Sequence, residues 1–101
     1  MGSARAELRD VLLEARSLLA LPGNNFDWSW WEDAEEALRE IDHMITLLEQ
    51  GWVPARSAIS VLFAPGGPIT EVSLSSGWSQ KYLALAERFD AAAEAFRFLG
   101  P

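Results

Sequence analysis

The sequence predicts an all-α fold, a small bundle of three longer helices and one short helix, with an extended Pro/Gly-rich connection before the last helix. Apolar residues recur at steps of three and four in three long segments, which is the spacing of one helix face. Clusters of Gly, Pro and Asn separate these segments and predict turns. The 101 residues are enough for one core, so we expect a single domain over residues 1–101.

The first helix is predicted over residues 3–21, with Ser3 as its N-cap. Polar residues occupy the side opposite the apolar face. Pro22 and Gly23, followed by two asparagines, form a strong stop and turn. The residues predicted to be buried are Leu8, Val11, Leu12, Ala15 and Leu19.

The central helix is predicted over residues 27–52, and the rest of the chain is organised around it. Ser29 and Glu32 have the spacing of a capping box, with Asp27 as a competing N-cap. Gly51 is placed to end the helix, because glycine adopts the left-handed conformation readily. The predicted apolar stripe, widened by Ala37 and Met44, consists of Trp31, Ala34, Leu38, Ile41, Ile45, Leu48 and Trp52.

The polar side of this central helix carries the charge of the protein. Residues 23–50 contain eight acidic residues and one arginine, Arg39, and the net charge of the whole chain is −7. The acids near the helix start suit the positive end of the helix dipole. Glu40 and Asp42 have no such explanation, and Glu36 and Glu40 form an unfavourable like-charge pair.

Four aromatic residues lie within six positions at the entry to this helix: Phe26, Trp28, Trp30 and Trp31. A hydrophobic plug is favoured over a binding patch for a sugar, base or peptide, since aromatic residues supply much of the burial in a small domain. The three tryptophans cannot all face one core. We therefore expect Trp28 or Trp30 to remain partly exposed and to serve an interface.

The remaining chain is predicted to contain a short helix, a turn, an extended stretch and the last helix. Residues 53–63 form the short helix, with Ile59, Leu62 and Phe63 on its core side, and residues 64–68 form the turn. Residues 69–76 alternate in polarity and are predicted to be extended. The last helix is predicted over residues 78–99. Its core face is predicted to hold Trp78, Tyr82, Leu85, Ala86, Phe89, Ala93 and Phe96.

Composition excludes several classes of function. Strong negative charge argues against binding to nucleic acid or to an acidic membrane surface, and it favours a basic protein partner. No apolar run approaches the roughly 20 residues of a membrane span. The absence of cysteine excludes disulfides and thiolate metal sites, and it is compatible with a reducing cytoplasm, the location we expect. No motif implies a cofactor.

A metal-dependent enzyme is the catalytic alternative. Glu40 and His43 have the E-x-x-H spacing of di-iron helical bundles. A second pattern partly matches the magnesium motifs of all-α nucleotide pyrophosphohydrolases, and it consists of Glu32, Glu35, Glu36, Glu87 and Asp90. Carboxylates from two helices can hold Mg²⁺. A solvated charged face is the more common origin of such patterns. We therefore predict a protein without catalytic residues or a bound metal.

Self-association is a third alternative. The extended stretch at residues 69–74 cannot form a sheet alone, so it would either cross the helices or pair with a second copy in a homodimer. A structural domain of this kind would need neither a ligand nor a basic partner.

A stretch after the Trp/Asp-rich helix carries a family resemblance. It runs Val61-Leu62-Phe63-Ala64-Pro65-Gly66-Gly67-Pro68, then Glu71-Val72-Ser73 and Ser76-Gly77-Trp78. Over about residues 28–90 the chain resembles small uncharacterised acidic bacterial proteins of the toxin-immunity type. The resemblance implies direct binding to a secreted toxin.

The predicted function is accordingly a non-catalytic protein-binding domain, of the kind that an immunity-type inhibitor would need. An acidic helix face suits a basic cleft, where charge sets the association rate and an aromatic anchor supplies affinity. The residues predicted to bind the partner are Asp33, Glu36, Glu40, Trp28 and Trp30.

Overall fold

The first helix of the chain packs between two other long helices. The structure is a computed structural model, and it describes residues 3–52 and 54–96. Helix α1 spans Ala4–Leu19, α2 spans Ala34–Glu49 and α5 spans Ser79–Ala95. Between α2 and α5 lie α3 (Arg56–Ser60), a 3-10 turn (Val61–Phe63) and α4 (Pro68–Ser76). Helix α1 packs most extensively against α5 and α2, and α4 packs against both the 3-10 turn and α5. The predicted all-α class is confirmed.

Helix α1 begins and packs as predicted. The Ser3 hydroxyl accepts a hydrogen bond from the Ala6 N–H and so satisfies a donor of the first turn. The five residues predicted to be buried are all fully buried. At the other end, the Asn24 side-chain amide donates to the carbonyls of Leu18 and Leu19, at 2.8 and 3.0 Å.

Helix α2 is shorter than predicted. It begins at Ala34 rather than near Asp27, and Gly51 follows its last turn with a φ of +85°. The predicted stripe is buried from Trp31 to Leu48, with Ala34 and Leu38 half-buried against the core. Trp52 is the exception, because it lies beyond the helix and is 64% exposed.

The predicted extended connection before the last helix is wrong, because residues 68–76 form helix α4. Pro68 occupies the first turn, where its fixed φ is already helical, and Gly77 ends the helix with a φ of +84°. Ile69 and Val72 are fully buried at helical spacing. Leu74, which suggested alternation, is exposed on the opposite side.

The core side of the short helix and of α5 is confirmed. Ile59, Leu62 and Phe63 are buried, and the Phe63 ring stacks on Phe89 with centroids 4.2 Å apart. In α5 the predicted face is buried, apart from a half-buried Ala86. The predicted start of the short helix at Val53 and the predicted end of the last helix at Leu99 lie outside the described residues.

Candidate protein-binding surface

The loop that enters α2 and the first turn of α2 bring the acidic and aromatic residues together. We call this region the α2-entry surface. Its carboxylates are exposed, except for that of Glu36, which is half-buried. It comprises Asp27, Trp28, Trp30, Glu32, Asp33, Glu35 and Glu36.

The side chains of Asp33 and Glu36 are held in place by hydrogen bonds to the backbone at the start of α2. The Asp33 carboxylate accepts from the Glu36 N–H at 2.9 Å, and the Glu36 carboxylate accepts from the Glu32 N–H at 3.3 Å. The predicted capping box of Ser29 and Glu32 is therefore wrong. An N-cap residue and a glutamate also stand three positions apart at Asp33 and Glu36, and this spacing could have revealed the true helix start.

Ser29 instead stabilises the loop. Its hydroxyl lies 2.8 Å from the Phe26 carbonyl, to which it donates, and it accepts from the Trp31 N–H at 3.2 Å. The Asn25 side chain accepts from the Asp27 N–H at 2.8 Å. These local bonds hold Phe26 and Trp31 in the core and leave the tryptophans between them outside it.

A cleft of about 610 Å³ separates this loop from the start of α2. The acidic residues Asp27, Glu32 and Asp33 are among those that line it, together with Phe26. Residues 20–25 form the opposite wall. The geometry therefore adds Asp27 and Glu32 to the residues that the sequence predicts for the site.

Trp28 and Trp30 are exposed, at 74% and 53%, whereas Trp31 is buried. Trp30 packs edge-to-face on Trp31, with ring centroids 6.4 Å apart and planes at 83°. The structure therefore places both predicted tryptophans at the surface, next to the carboxylates of the α2 entry.

Glu40 differs from those carboxylates because it accepts hydrogen bonds from two tryptophans. Its Oε2 atom accepts from the Trp31 indole N–H at 2.6 Å and from the Trp30 indole N–H at 3.3 Å. Its charge is thus already shared between two donors. A pattern of charges along the sequence gave no sign of this contact, because the two indoles lie nine and ten positions away.

The remaining acids of α2 face α1 and are paired with arginines there. Arg16 contacts both carboxylate oxygens of Asp42, at 2.6 and 3.3 Å, and Arg9 lies 3.8 Å from Glu49. The Asp42 hydrogen bond and charge raise the pKa of Arg16 above its ordinary value. The expectation that all the surplus charge lies on one unpaired helix face is therefore wrong. The negative surplus is concentrated at the α2 entry.

The residues of the metal alternative are distributed over two helices. Glu36, Glu40 and His43 belong to α2, whereas Glu87 and Asp90 belong to α5, and α1 packs against both helices. Within residues 3–52 and 54–96, no group of three or more His, Asp and Glu side chains is arranged to hold a metal ion. His43 is exposed.

The segment proposed for self-association does not present a strand edge. Residues 69–74 are helical, with Ile69 and Val72 fully buried and Leu74 exposed. Pairing of two extended copies through this segment is therefore inconsistent with the structure.

Comparison of the chain with protein-family models, with curated proteins and with solved structures found no match. Among the described residues, none of the helices has the length and apolar character needed to cross a membrane.

Proposed function

We propose that this chain is a non-catalytic protein-binding domain that binds a basic partner protein through the α2-entry surface. The observation that carries the proposal is the position of five carboxylates beside two exposed tryptophans. In the described chain, the one ion pair to any of these carboxylates is that of Glu35 with Arg39, at 4.0 Å. A basic surface would supply the missing counter-charge.

The two kinds of residue would contribute differently. Exposed carboxylates would steer a cationic partner toward the surface and make the association rate depend on salt. Trp28 and Trp30 would supply the affinity, because large aromatic side chains at the centre of an interface are the most frequent energetic anchors. The cleft beside Asp33 has room for a lysine or arginine side chain of the partner. This mode of binding would suit an immunity-type inhibitor that covers the basic cleft of a toxin.

The first test is capture of partners from the source cells by the full chain, at low and at high ionic strength. We expect a basic protein that is retained at low salt and released at high salt. Recovery of only neutral or acidic proteins would contradict the proposal.

The second test measures the captured partner against variants that keep the fold. Glu32→Gln, Asp33→Asn and Glu36→Gln together remove three charges but keep the helix cap, since asparagine caps as well as aspartate. We expect association to slow and its salt dependence to weaken. The matched control neutralises three exposed acids elsewhere, at Glu7, Glu87 and Glu94, and should change the rate less. Equal effects of the two triple variants would indicate net charge rather than this surface.

The third test separates the aromatic contribution. Trp28→Ala and Trp30→Ala are expected to raise the dissociation rate, each costing at least about 1 kcal/mol of binding free energy if it is an anchor. Trp52→Ala is the control, because Trp52 is equally exposed but lies beyond the opposite end of α2.

A further inference from the structure

A groove between α1 and α5 lies outside the α2-entry surface. The two helices run antiparallel: Arg5 lies over the Phe96 ring, 5.2 Å from its centroid, and Glu14 forms an ion pair with Arg88 farther along. Beyond that pair the helices leave a groove of about 370 Å³. Ligand pockets in proteins commonly begin at about 300 Å³ and combine apolar walls with a few polar groups.

The walls of the groove are mainly aliphatic, and Ser17 is the one uncharged polar residue that lines them. Leu18 of α1 and Ala84 and Leu85 of α5 line it. Leu85 is buried, Leu18 is half-buried and Ala84 is exposed, so the apolar lining extends from the core to the surface. No aromatic ring lines the groove, and its apolar surface therefore suits a flexible alkyl chain better than a planar ring, which gains from stacking.

Charged groups stand at the two ends of the groove. Lys81 and Arg88 are seven positions apart on α5, which separates them by about 10 Å along the helix axis. Arg88 is paired with Glu14, whereas Lys81 has no ion pair among residues 3–52 and 54–96. One end therefore has an unmatched ammonium group, and the other has a carboxylate that is already neutralised.

We infer that this groove binds a linear aliphatic monocarboxylate. The carboxylate of the ligand pairs with Lys81, and its alkyl chain lies along Leu18, Ala84 and Leu85 toward the Glu14–Arg88 pair. A monocarboxylate fits better than a dicarboxylate, because Arg88 at the far end is already paired with Glu14 and Lys81 is the one unpaired cation among the groove residues. This inference is independent of the proposed function, since it involves another face and a small molecule.

The test is a titration of the full chain with sodium octanoate, followed in two-dimensional amide NMR spectra. We expect saturable shifts that centre on Leu18, Ala84 and Leu85, with affinity rising by up to about fourfold for each added methylene group. Octylamine and the dicarboxylate suberate are expected to bind more weakly than octanoate. Shifts that spread over the surface without saturation, or equal binding of octylamine, would overturn the inference.

Two variants test the two parts of the groove. Lys81→Met keeps the aliphatic stem and removes the charge, so octanoate should bind about fivefold more weakly. Ala84→Phe fills the groove from an exposed position and should abolish binding while the thermal unfolding curve is maintained. The controls are Arg39→Met on α2 and Ala91→Phe, at another exposed alanine of α5. Unchanged affinity in Lys81→Met or Ala84→Phe would show that octanoate binds elsewhere.

Discussion

Glu40 holds Trp31 through a hydrogen bond of 2.6 Å from the indole Nε1 to its Oε2 atom. Trp31 is buried, and Glu40 is half-buried beside it. An acid that appears in the sequence as part of a solvated face therefore acts as an internal hydrogen-bond acceptor. The same oxygen also contacts the indole of Trp30, so the position of an exposed tryptophan depends on a residue of α2.

We expect Glu40→Ala to lower the free energy of unfolding by about 1–3 kcal/mol, because the buried Trp31 N–H loses its acceptor. Glu40→Gln keeps a carbonyl acceptor and should cost clearly less. Urea unfolding measures both effects, and indole N–H signals in NMR spectra report the two tryptophans directly. Equal stability of Glu40→Ala and the wild type would mean that the hydrogen bond contributes nothing.

Leu12 occupies the centre of the buried face of α1 and is fully buried. Truncation to alanine leaves a cavity that the neighbouring helices cannot easily fill. Leu12→Ala should therefore lower the free energy of unfolding by about 3–5 kcal/mol. Leu13→Ala is the matched control, since Leu13 is 41% exposed, and it should change stability by no more than about 0.5 kcal/mol. Similar costs at the two positions would contradict the described orientation of α1.

Gly67 lies where the backbone approaches itself closely. A Cβ atom at this position would be 2.1 Å from the Val61 carbonyl oxygen and 2.9 Å from that of Ala64. Backbone atoms must shift to admit it, so Gly67→Ala should cost at least about 1–3 kcal/mol and disturb the 3-10 turn.

The neighbouring Gly66 provides the control for this substitution. It has a φ of +77° and open space around it. Asparagine adopts this conformation more readily than other non-glycine residues, so Gly66→Asn should lower the unfolding temperature less than Gly67→Ala does. A Gly67→Ala variant as stable as Gly66→Asn would show that the turn adapts without strain.

Tyr82 joins α5 to the turn before α4. Its hydroxyl donates to the Phe63 carbonyl at 2.9 Å and contacts the Thr70 hydroxyl at 2.5 Å. Tyr82→Phe removes both contacts and leaves the Phe63 carbonyl without this donor. We expect the free energy of unfolding to fall by about 1 kcal/mol, measured by urea unfolding at neutral pH. The control Thr70→Val removes the second hydroxyl and tests whether the two act as one network.

Burial raises the pKa of Tyr82 above its ordinary value of 10.0, the nearby charge of Asp90 adds to the increase, and the Thr70 hydrogen bond opposes it. The unfolded chain therefore loses this proton at lower pH than the folded chain. Stability due to the neutral hydroxyl is complete below pH 10.0 and is lost as pH rises through the folded pKa. Tyr82→Phe should show a smaller loss of stability above that pH. Tyr82 is the sole tyrosine, so tyrosinate absorbance follows it without interference from other tyrosines.

Periodicity was sufficient to predict the long helices and their buried faces. The five core residues of α1 and the apolar face of α5 follow from steps of three and four, because those helices bury one face each. Helix ends were harder to predict. Ser29 and Asp33 both begin a plausible capping pattern, and the difference between them depends on loop bonds between Phe26, Ser29 and Trp31.

Helix α4 could not be recognised from polarity. Its buried residues, Pro68, Ile69, Val72 and Ser73, include a serine, and its exposed face includes Leu74. Ser73 is tolerated in the core because its hydroxyl donates to the Thr70 carbonyl at 2.7 Å. At the candidate site, the exposure of Trp28 and Trp30 depends on the path of the loop. The pairing of Asp42 with Arg16 depends on how two helices dock, which neither segment specifies alone.

Helix α1 packs more extensively against α2 and α5 than any other helix does. Separating α1 from the other helices would expose the apolar faces of both α2 and α5 to water. Neither α2 nor α5 is therefore expected to stay folded without α1. Melting should therefore occur in one concerted step. The α2-entry surface and the groove between α1 and α5 should therefore be lost at the same temperature.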